Sequence, residues 1–334
     1  MKAIFYTSDS VRLNKVFNKR HMQEIKSIFP DFSETVYTKS DLQQNPQPFC
    51  DIEHIFTTWG VEPLTEKEIK LFFPNLKCVF HAAGTVQKFG RPFMNCGVKV
   101  HSAWAANAIP VAEYTVAQIV LANKGFYTAA RMMSRGERAS ACRCFRQYPG
   151  CYDSKIGIIG AGMIGKLVIR MLKDYRVDIL VFDPFLPDET ATEMGVKKVS
   201  LQELFSQCHV ISNHLADNEN TKNILNYDLF SEMIPYSTFL NTGRGAQVLE
   251  TDLIKVLKER ADITAVLDVT FPEPPVENSP LYNLSNCILT PHIAGASGNE
   301  FWRLADYAID ELKRFLNNEP RKYEVTLQML ETMA

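Results

Sequence analysis

The feature that most constrains the fold is the segment Lys155-Ile156-Gly157-Ile158-Ile159-Gly160-Ala161-Gly162-Met163-Ile164-Gly165. An apolar run of strand character passes straight into Gly-x-Gly-x-x-Gly and then into a helical pattern. A second apolar run, Ile179-Leu180-Val181-Phe182, follows and ends on Asp183. Strand, glycine turn, helix, strand and acid, in that order, form the unit that binds a dinucleotide. Gly160 lets the chain turn, Gly162 lets backbone approach a pyrophosphate, and Gly165 lets helix pack on strand. The helix N-terminus then offers unpaired N–H groups to the phosphates. Asp183 is placed to accept hydrogen bonds from ribose hydroxyls. Its charge repels a 2′-phosphate, which favours NAD over NADP.

The motif lies near the middle of 334 residues, so something of domain size precedes it. With 46% hydrophobic and 22% charged residues, a packed core is expected. The 36 basic and 38 acidic residues leave a net charge of −2, which gives no basic excess for nucleic acid. The opening Met1-Lys2-Ala3-Ile4-Phe5-Tyr6 reads as a strand rather than a signal peptide. No apolar run reads as long enough to span a membrane. The eight cysteines are scattered, with only Cys142 and Cys144 close together. They read as free thiols of a cytosolic protein, with no metal site.

Short apolar runs at Lys2–Tyr6, Ile52–Thr57, Cys78–Phe80 and Val98–His101 alternate with helical stretches, which predicts an α/β arrangement. One such helix covers Leu64–Phe73, with Thr65 as its cap and Glu66 and Glu68 in its first turn. A long helical pattern runs from Asn107 to Arg138, and Arg135 to Gly150 reads as loop. Beyond Asp183, strands are expected at Val196–Val199, His209–Ser212, Thr238–Leu240, Ala265–Val269 and Ile288–Leu289, with a helix at Gln247–Lys258. The closing helix, Asn299–Asn317, places Phe301, Leu304, Ala308, Leu312 and Phe315 on one face. Trp59, Trp104 and Trp302 read as packing residues.

Three segments in the C-terminal half carry chemistry: Leu240-Asn241-Thr242-Gly243-Arg244-Gly245, Leu267-Asp268-Val269-Thr270-Phe271-Pro272-Glu273-Pro274-Pro275 and Leu289-Thr290-Pro291-His292-Ile293-Ala294-Gly295. Each follows a strand-like run, so each loop is expected at the sheet edge that carries the glycine turn. At these residues the chain resembles the D-isomer-specific 2-hydroxyacid dehydrogenase family. The resemblance is strong from Val111-Ala112-Glu113 through Ala294-Gly295 and weak over the first 75 residues.

The resemblance implies two doubly wound α/β domains. A Rossmann NAD-binding domain (106–295) is inserted in a flavodoxin-like substrate-binding domain (1–105 with 296–334). It further implies NAD(H) as cofactor, a 2-hydroxy/2-oxo acid pair as substrate, and a homodimer assembled through the long helix of the NAD domain. Arg244, Glu273 and His292 match the catalytic residues. His81-Ala82-Ala83-Gly84-Thr85 resembles the substrate-carboxylate loop, with Ala83 and Gly84 as its backbone contacts, and Asn107 matches a further substrate-side position. Around the cofactor the implied set is Gly160, Gly162, Met163, Ile164, Gly165, Asp183, Thr242, Gly243, Asp268 and Gly295.

The chemistry accounts for these residue types. Oxidation of a 2-hydroxy acid removes a hydroxyl proton while hydride leaves the same carbon, and a neutral imidazole suits the first task near neutral pH. Glu273 against the other ring nitrogen fixes the tautomer. Arg244 supplies a planar fork of donors to the carboxylate and oxo oxygen. Formate dehydrogenase, a relative, carries glutamine where this chain has Glu273. Two departures from the family pattern stand out: His214-Leu215-Ala216-Asp217-Asn218 replaces His-x-Pro-Leu-Thr on the adenine side, and Val86-Gln87 stands where an aspartate is frequent. Two alternatives stay open: an NADH-sensing, corepressor-like protein with little turnover, and an enzyme acting on a non-carboxylate substrate. The identity of the acid rests on the weakly matching N-terminal loops.

Overall fold

The computed structural model describes residues 1–331; the last three residues of the expected 296–334 segment lie outside the described residues. The chain divides into two units, one made of Met1–Asn107 and the segment from Ala296 onward, the other of Ala108–Gly295.

The first unit holds a five-stranded sheet: β1 (Ala3–Tyr6), β2 (Val36–Tyr37), β3 (His54–Thr57), β4 (Cys78–His81) and β5 (Lys99–Ser102). All neighbours are parallel and the order is β2-β1-β3-β4-β5, the flavodoxin-like doubly wound order. Four of these strands fall where the apolar runs predict them. The two-residue β2 does not, because Val36-Tyr37 is too short to carry a pattern. Register pairs Ile4 with Ile55, Ile55 with Val79 and Val79 with Val100. Alternate residues therefore feed opposite faces. One face buries Phe5, Phe56 and Phe80 against Leu304, Ile309 and Leu312. The other buries Ile4, Ile55, Val79 and Val100 with Ile69, Phe72 and Phe93.

Helix Glu66–Phe72 starts at a capping box in which Thr65 accepts from Glu68 N and Glu68 accepts from Thr65 N at 2.8 Å. The closing helix, Glu300–Leu316, buries Leu304, Ala308 and Leu312 as its periodicity predicts. Each buried leucine contributes on the order of 2 kcal/mol. On the same helix Glu311, itself buried, accepts from His101 Nδ1 at 2.9 Å and from Lys322 N at 3.0 Å, tying helix, sheet and tail together. Burial works against ionising Glu311, but these hydrogen bonds outweigh it and hold its carboxyl below the ordinary value. Trp59 packs edge-on against Phe301, and Trp104 packs edge-on against Tyr323.

The second unit holds a seven-stranded parallel sheet: β6 (Tyr152–Ile159), β7 (Arg176–Phe182), β8 (Lys197–Lys198), β9 (Val210–Asn213), β10 (Thr238–Asn241), β11 (Thr264–Leu267) and β12 (Cys287–Leu289). The order β12-β11-β10-β9-β6-β7-β8 is the dinucleotide-binding order with one added strand. The chain reverses its winding between β6 and β9, and ligand crevices form at such a switch point.

Two local expectations fail. The helix expected over 107–138 is instead Trp104–Asn123 followed by Phe126–Ser134. Gly125, at φ 65°, ends the first helix, and the Tyr148 ring lies where a Cβ on Gly125 would fall, only 2.4 Å away. The first helix also begins earlier than expected and carries Pro110 inside it. The stretch expected as loop, 135–150, contains the helix Arg138–Cys144 and a 3-10 turn at Phe145–Gln147. A third correction concerns length: Trp104–Asn123 is long and apolar enough to cross a membrane by those criteria alone. Half of its apolar window is buried inside the protein, and a packed core helix passes the same test.

Candidate functional site

In the second unit every chemistry-bearing loop leaves the C-terminal end of a parallel strand. Gly160 follows β6, Asp183 follows β7, His214 follows β9, Thr242 to Arg244 follow β10, Asp268 follows β11, and Thr290 to Gly295 follow β12. Parallel pairing alone therefore brings the glycine turn, the arginine loop, the glutamate loop and the histidine loop to one sheet edge.

The glycine turn is built as the sequence requires. Gly160 has φ 90°, and a Cβ there would stand 2.8 Å from the His214 carbonyl oxygen. A Cβ on Gly165 would stand 2.0 Å from the Gly160 oxygen, so no other residue fits. Gly162, the N-cap of helix Met163–Leu172, has nothing within 4 Å of a Cβ, which leaves open space at the helix N-terminus. Met163 is exposed and Ile164 half-buried in that first turn. Open space beside unpaired backbone donors fits a pyrophosphate. Asp183 Oδ2 accepts from Ala161 N at 2.7 Å and Oδ1 from Phe185 N at 2.8 Å. The acid thus braces the turn from the next strand, and each oxygen keeps a lone pair for a ribose hydroxyl.

His292 Nδ1 lies 2.7 Å from Glu273 Oε1, with both side chains about half exposed. The histidine is one of the few non-glycine residues in the left-handed region, at φ 56°. That backbone costs on the order of 1–2 kcal/mol, and Asp268 holds it in place. The Asp268 carbonyl accepts from His292 N at 3.0 Å. Its buried carboxylate accepts from Ile293 N at 2.8 Å, Ala294 N at 2.8 Å and Thr290 Oγ1 at 2.6 Å. Asp268, read from the sequence as a cofactor-side acid, is thus engaged in shaping the histidine loop. Gly295, half-buried, closes that loop.

The arginine loop rests on three buried amides that sequence reasoning missed. Asn213 Nδ2 donates to Asn241 Oδ1 at 3.1 Å and to Gln247 Oε1. Asn241 Nδ2 donates to the Arg244 carbonyl at 3.1 Å, and Asn241 Oδ1 accepts from Gly243 N at 3.1 Å. Gln247 Nε2 reaches the carbonyls of Leu215 and Ala216 at 2.7 and 2.9 Å, joining the loop after β9 to the loop after β10. An asparagine closing each of two adjacent apolar runs was the available signal. Arg244 is half-buried and Nη1 donates to the Gly243 carbonyl at 2.8 Å. Thr242 is buried, its hydroxyl 3.1 Å from that of Thr115.

The first unit carries the remaining expected residues. Ala83 is buried and Gly84 half-buried, and Ser102 Oγ donates to the carbonyls of both. His81, buried at the start of this loop, is held neutral by burial, which lowers its pKa to about 3. Asn107 Oδ1 accepts from Ala296 N at 3.0 Å, and its Nδ2 lies 3.9 Å from where a Cβ on Gly84 would be. Asn107 thus braces the return of the chain at Ala296 beside the 81–85 loop.

Comparison with known proteins identifies the family and the fold. The family model described as D-isomer specific 2-hydroxyacid dehydrogenase, NAD binding domain, matches residues 116–294. A D-3-phosphoglycerate dehydrogenase of Methanocaldococcus jannaschii is 32% identical over 227 residues, 67% of this chain and 42% of that protein. A glycerate dehydrogenase of Methylorubrum extorquens is 31% identical over 224 residues, 65% of this chain and 68% of that protein. The matches to the phosphoglycerate dehydrogenases span less than half the length of those relatives. D-mandelate dehydrogenase of Rhodotorula graminis shares the fold, with a TM-score of 0.80 at 20% identity and 97% of each chain covered. The family match takes in more than half of the chain, including the glycine turn, Arg244, Glu273 and His292, and the chain belongs to the D-isomer specific 2-hydroxyacid dehydrogenase family, whose NAD-binding domain it carries.

Proposed function

We propose that this protein is an NAD-dependent 2-hydroxyacid dehydrogenase that interconverts a 2-hydroxy acid and its 2-oxo acid. The carrying observation is the 2.7 Å pair of His292 and Glu273 at the sheet edge that bears the glycine turn. Bound NAD(H) supplies the hydride acceptor or donor. His292 takes the hydroxyl proton at Nε2 during oxidation and returns it during reduction. Glu273 holds the proton on Nδ1, which keeps Nε2 as the acceptor of the neutral ring. Arg244 binds the carboxylate and the oxo oxygen with its fork of donors. Asp183 sets the preference for NAD over NADP.

The first unit is proposed as the substrate-binding domain, with the backbone N–H groups of Ala83 and Gly84 and the amide of Asn107 as its contribution. The protein is further proposed to be a cytosolic homodimer that uses the helix Trp104–Asn123. Steady-state turnover of a panel of 2-oxo acids with NADH, beside direct NADH binding, tests the reading. Turnover of at least one small 2-oxo acid is expected. Tight NADH binding with negligible turnover across the panel would favour a sensor and defeat the proposal.

A further inference from the structure

Two adjacent residues on the helix Trp104–Asn123 reach two different reaction loops of the second unit. Tyr114 Oη lies 3.3 Å from Thr290 Oγ1, in the loop that carries His292. Thr115 Oγ1 lies 3.1 Å from Thr242 Oγ1, in the loop that carries Arg244. Consecutive helical side chains diverge by about 100°, so neighbours in sequence reach the ends of β12 and β10, on either side of β11. A mid-helix threonine commonly bonds back to its own helix. Thr115 is fully buried and bonds sideways instead.

The Tyr114 bond has a direction. A threonine hydroxyl has one proton, and Thr290 donates it to Asp268 Oδ1 at 2.6 Å. Tyr114 is therefore the donor to Thr290. The series Tyr114, Thr290, Asp268 ends on the carboxylate that receives Ile293 N and Ala294 N, the two amides after His292. Burial favours the un-ionised Tyr114 hydroxyl that this direction requires.

We propose that Tyr114 and Thr115 are positioning residues that separately set the His292 loop and the Arg244 loop. The proposal rests on the roles given above to His292 and Arg244, although the geometry it predicts is measurable without turnover. In this arrangement the acid/base group and the carboxylate clamp are tuned from one rigid element by two independent contacts. A change on that helix can therefore shift proton transfer without altering substrate binding, and the reverse.

The test uses the full-length protein with Tyr114→Phe, Thr115→Val and Thr115→Ser. The ring-nitrogen signals of His292 and the Nε–H signal of Arg244 are read by ¹⁵N NMR. Affinities for NADH, and for oxamate in the presence of NADH, are measured alongside kcat and KM. Tyr114→Phe is expected to move the His292 signals and lower kcat about fivefold, as loss of one hydrogen bond of about 1 kcal/mol would. The Arg244 signal and oxamate affinity should stay as in the parent. Thr115→Val is expected to move the Arg244 signal and weaken oxamate about fivefold while leaving His292 unchanged, and Thr115→Ser should restore the parent values. Unchanged signals in both variants, or both signals moving in each, would overturn the proposal and leave the helix a common scaffold. A parent with no turnover and no oxamate binding defeats the proposed function alone, and the NMR comparison still decides the positioning.

Discussion

Glu273 Oε1 and His292 Nδ1 meet at 2.7 Å although neither residue lies in regular secondary structure. The meeting depends on the left-handed backbone of His292, which Asp268 fixes from the neighbouring strand end. His292→Asn is expected to keep NADH binding by fluorescence and to lose about 10²–10⁴-fold in kcat, the usual cost of removing a general acid or base. Glu273→Gln keeps size but loses a charge-assisted bond of about 1.5–3 kcal/mol. Its kcat/KM toward a 2-oxo acid should fall about ten- to a hundredfold. A His292→Asn variant within threefold of the parent would remove His292 from the chemistry.

Arg244 tests the carboxylate clamp. Lysine keeps the charge but has no planar fork, so Arg244→Lys should lower kcat/KM toward 2-oxo acids by about 1.5–3 kcal/mol. NADH affinity should be little changed. Parent-like kinetics in the lysine variant would make Arg244 a loop residue without a substrate role.

The proposed function gives Asp183 a second task beside bracing the glycine turn, and its substitution should show both. Asp183→Ser removes the charge that repels a 2′-phosphate and also the acceptor for Ala161 N at 2.7 Å. The ratio of kcat/KM for NADH over NADPH is expected to fall, while NADH affinity itself drops as the turn loosens. Equal use of the two cofactors by the unmutated protein would sink this account.

Gly165 permits the closest approach in the cofactor turn. Gly165→Ala places a methyl 2.0 Å from the Gly160 oxygen, and the obstacle is backbone rather than a movable side chain. Loss of NADH binding and a lower melting temperature are expected together. Gly162→Ala, where a Cβ meets no protein atom, should keep the melting temperature and lose NADH affinity only. Isothermal titration and thermal unfolding on the two variants separate these outcomes.

His54 makes stability depend on pH. It is fully buried among Phe29, Phe80 and Phe315, and burial lowers its pKa from the ordinary 6.5 to about 4. The folded state therefore prefers neutral imidazole more than the unfolded chain does. This contribution is fully present above pH 6.5 and is lost as pH falls from there toward about 4. Its size is on the order of 3 kcal/mol. Urea unfolding at pH 7.5 and pH 5 should show the loss, and His54→Gln should lessen it, the remainder coming from His81 and His214, whose pKa values burial also lowers, to about 3; an equally steep variant would remove His54 from the acid sensitivity.

The family and the fold class were legible in sequence because their signals are local. Lys155–Gly165 places strand, turn and helix within one stretch, and the apolar runs fix four strands of the first sheet. The helix Glu66–Phe72 was readable from Thr65 and Glu68, which sit three residues apart and cap one another. Arg244, Glu273 and His292 were nameable because each follows a strand-like run within a recognisable motif.

What sequence could not give are contacts between residues distant along the chain. The break at Gly125 depends on the Tyr148 ring lying against it. Asn213, Asn241 and Gln247 become a network only when parallel pairing sets their strand ends side by side. Asp268 is read as a cofactor-side acid from its motif, and only tertiary structure turns its carboxylate toward three donors of the histidine loop. Sequence by itself determined which backbone conformations and residue types the second unit can hold, since propensity, glycine geometry and apolar period act over a few residues. Tertiary structure alone decided which polar groups satisfy one another, because a buried donor takes whatever acceptor the fold brings within about 3 Å.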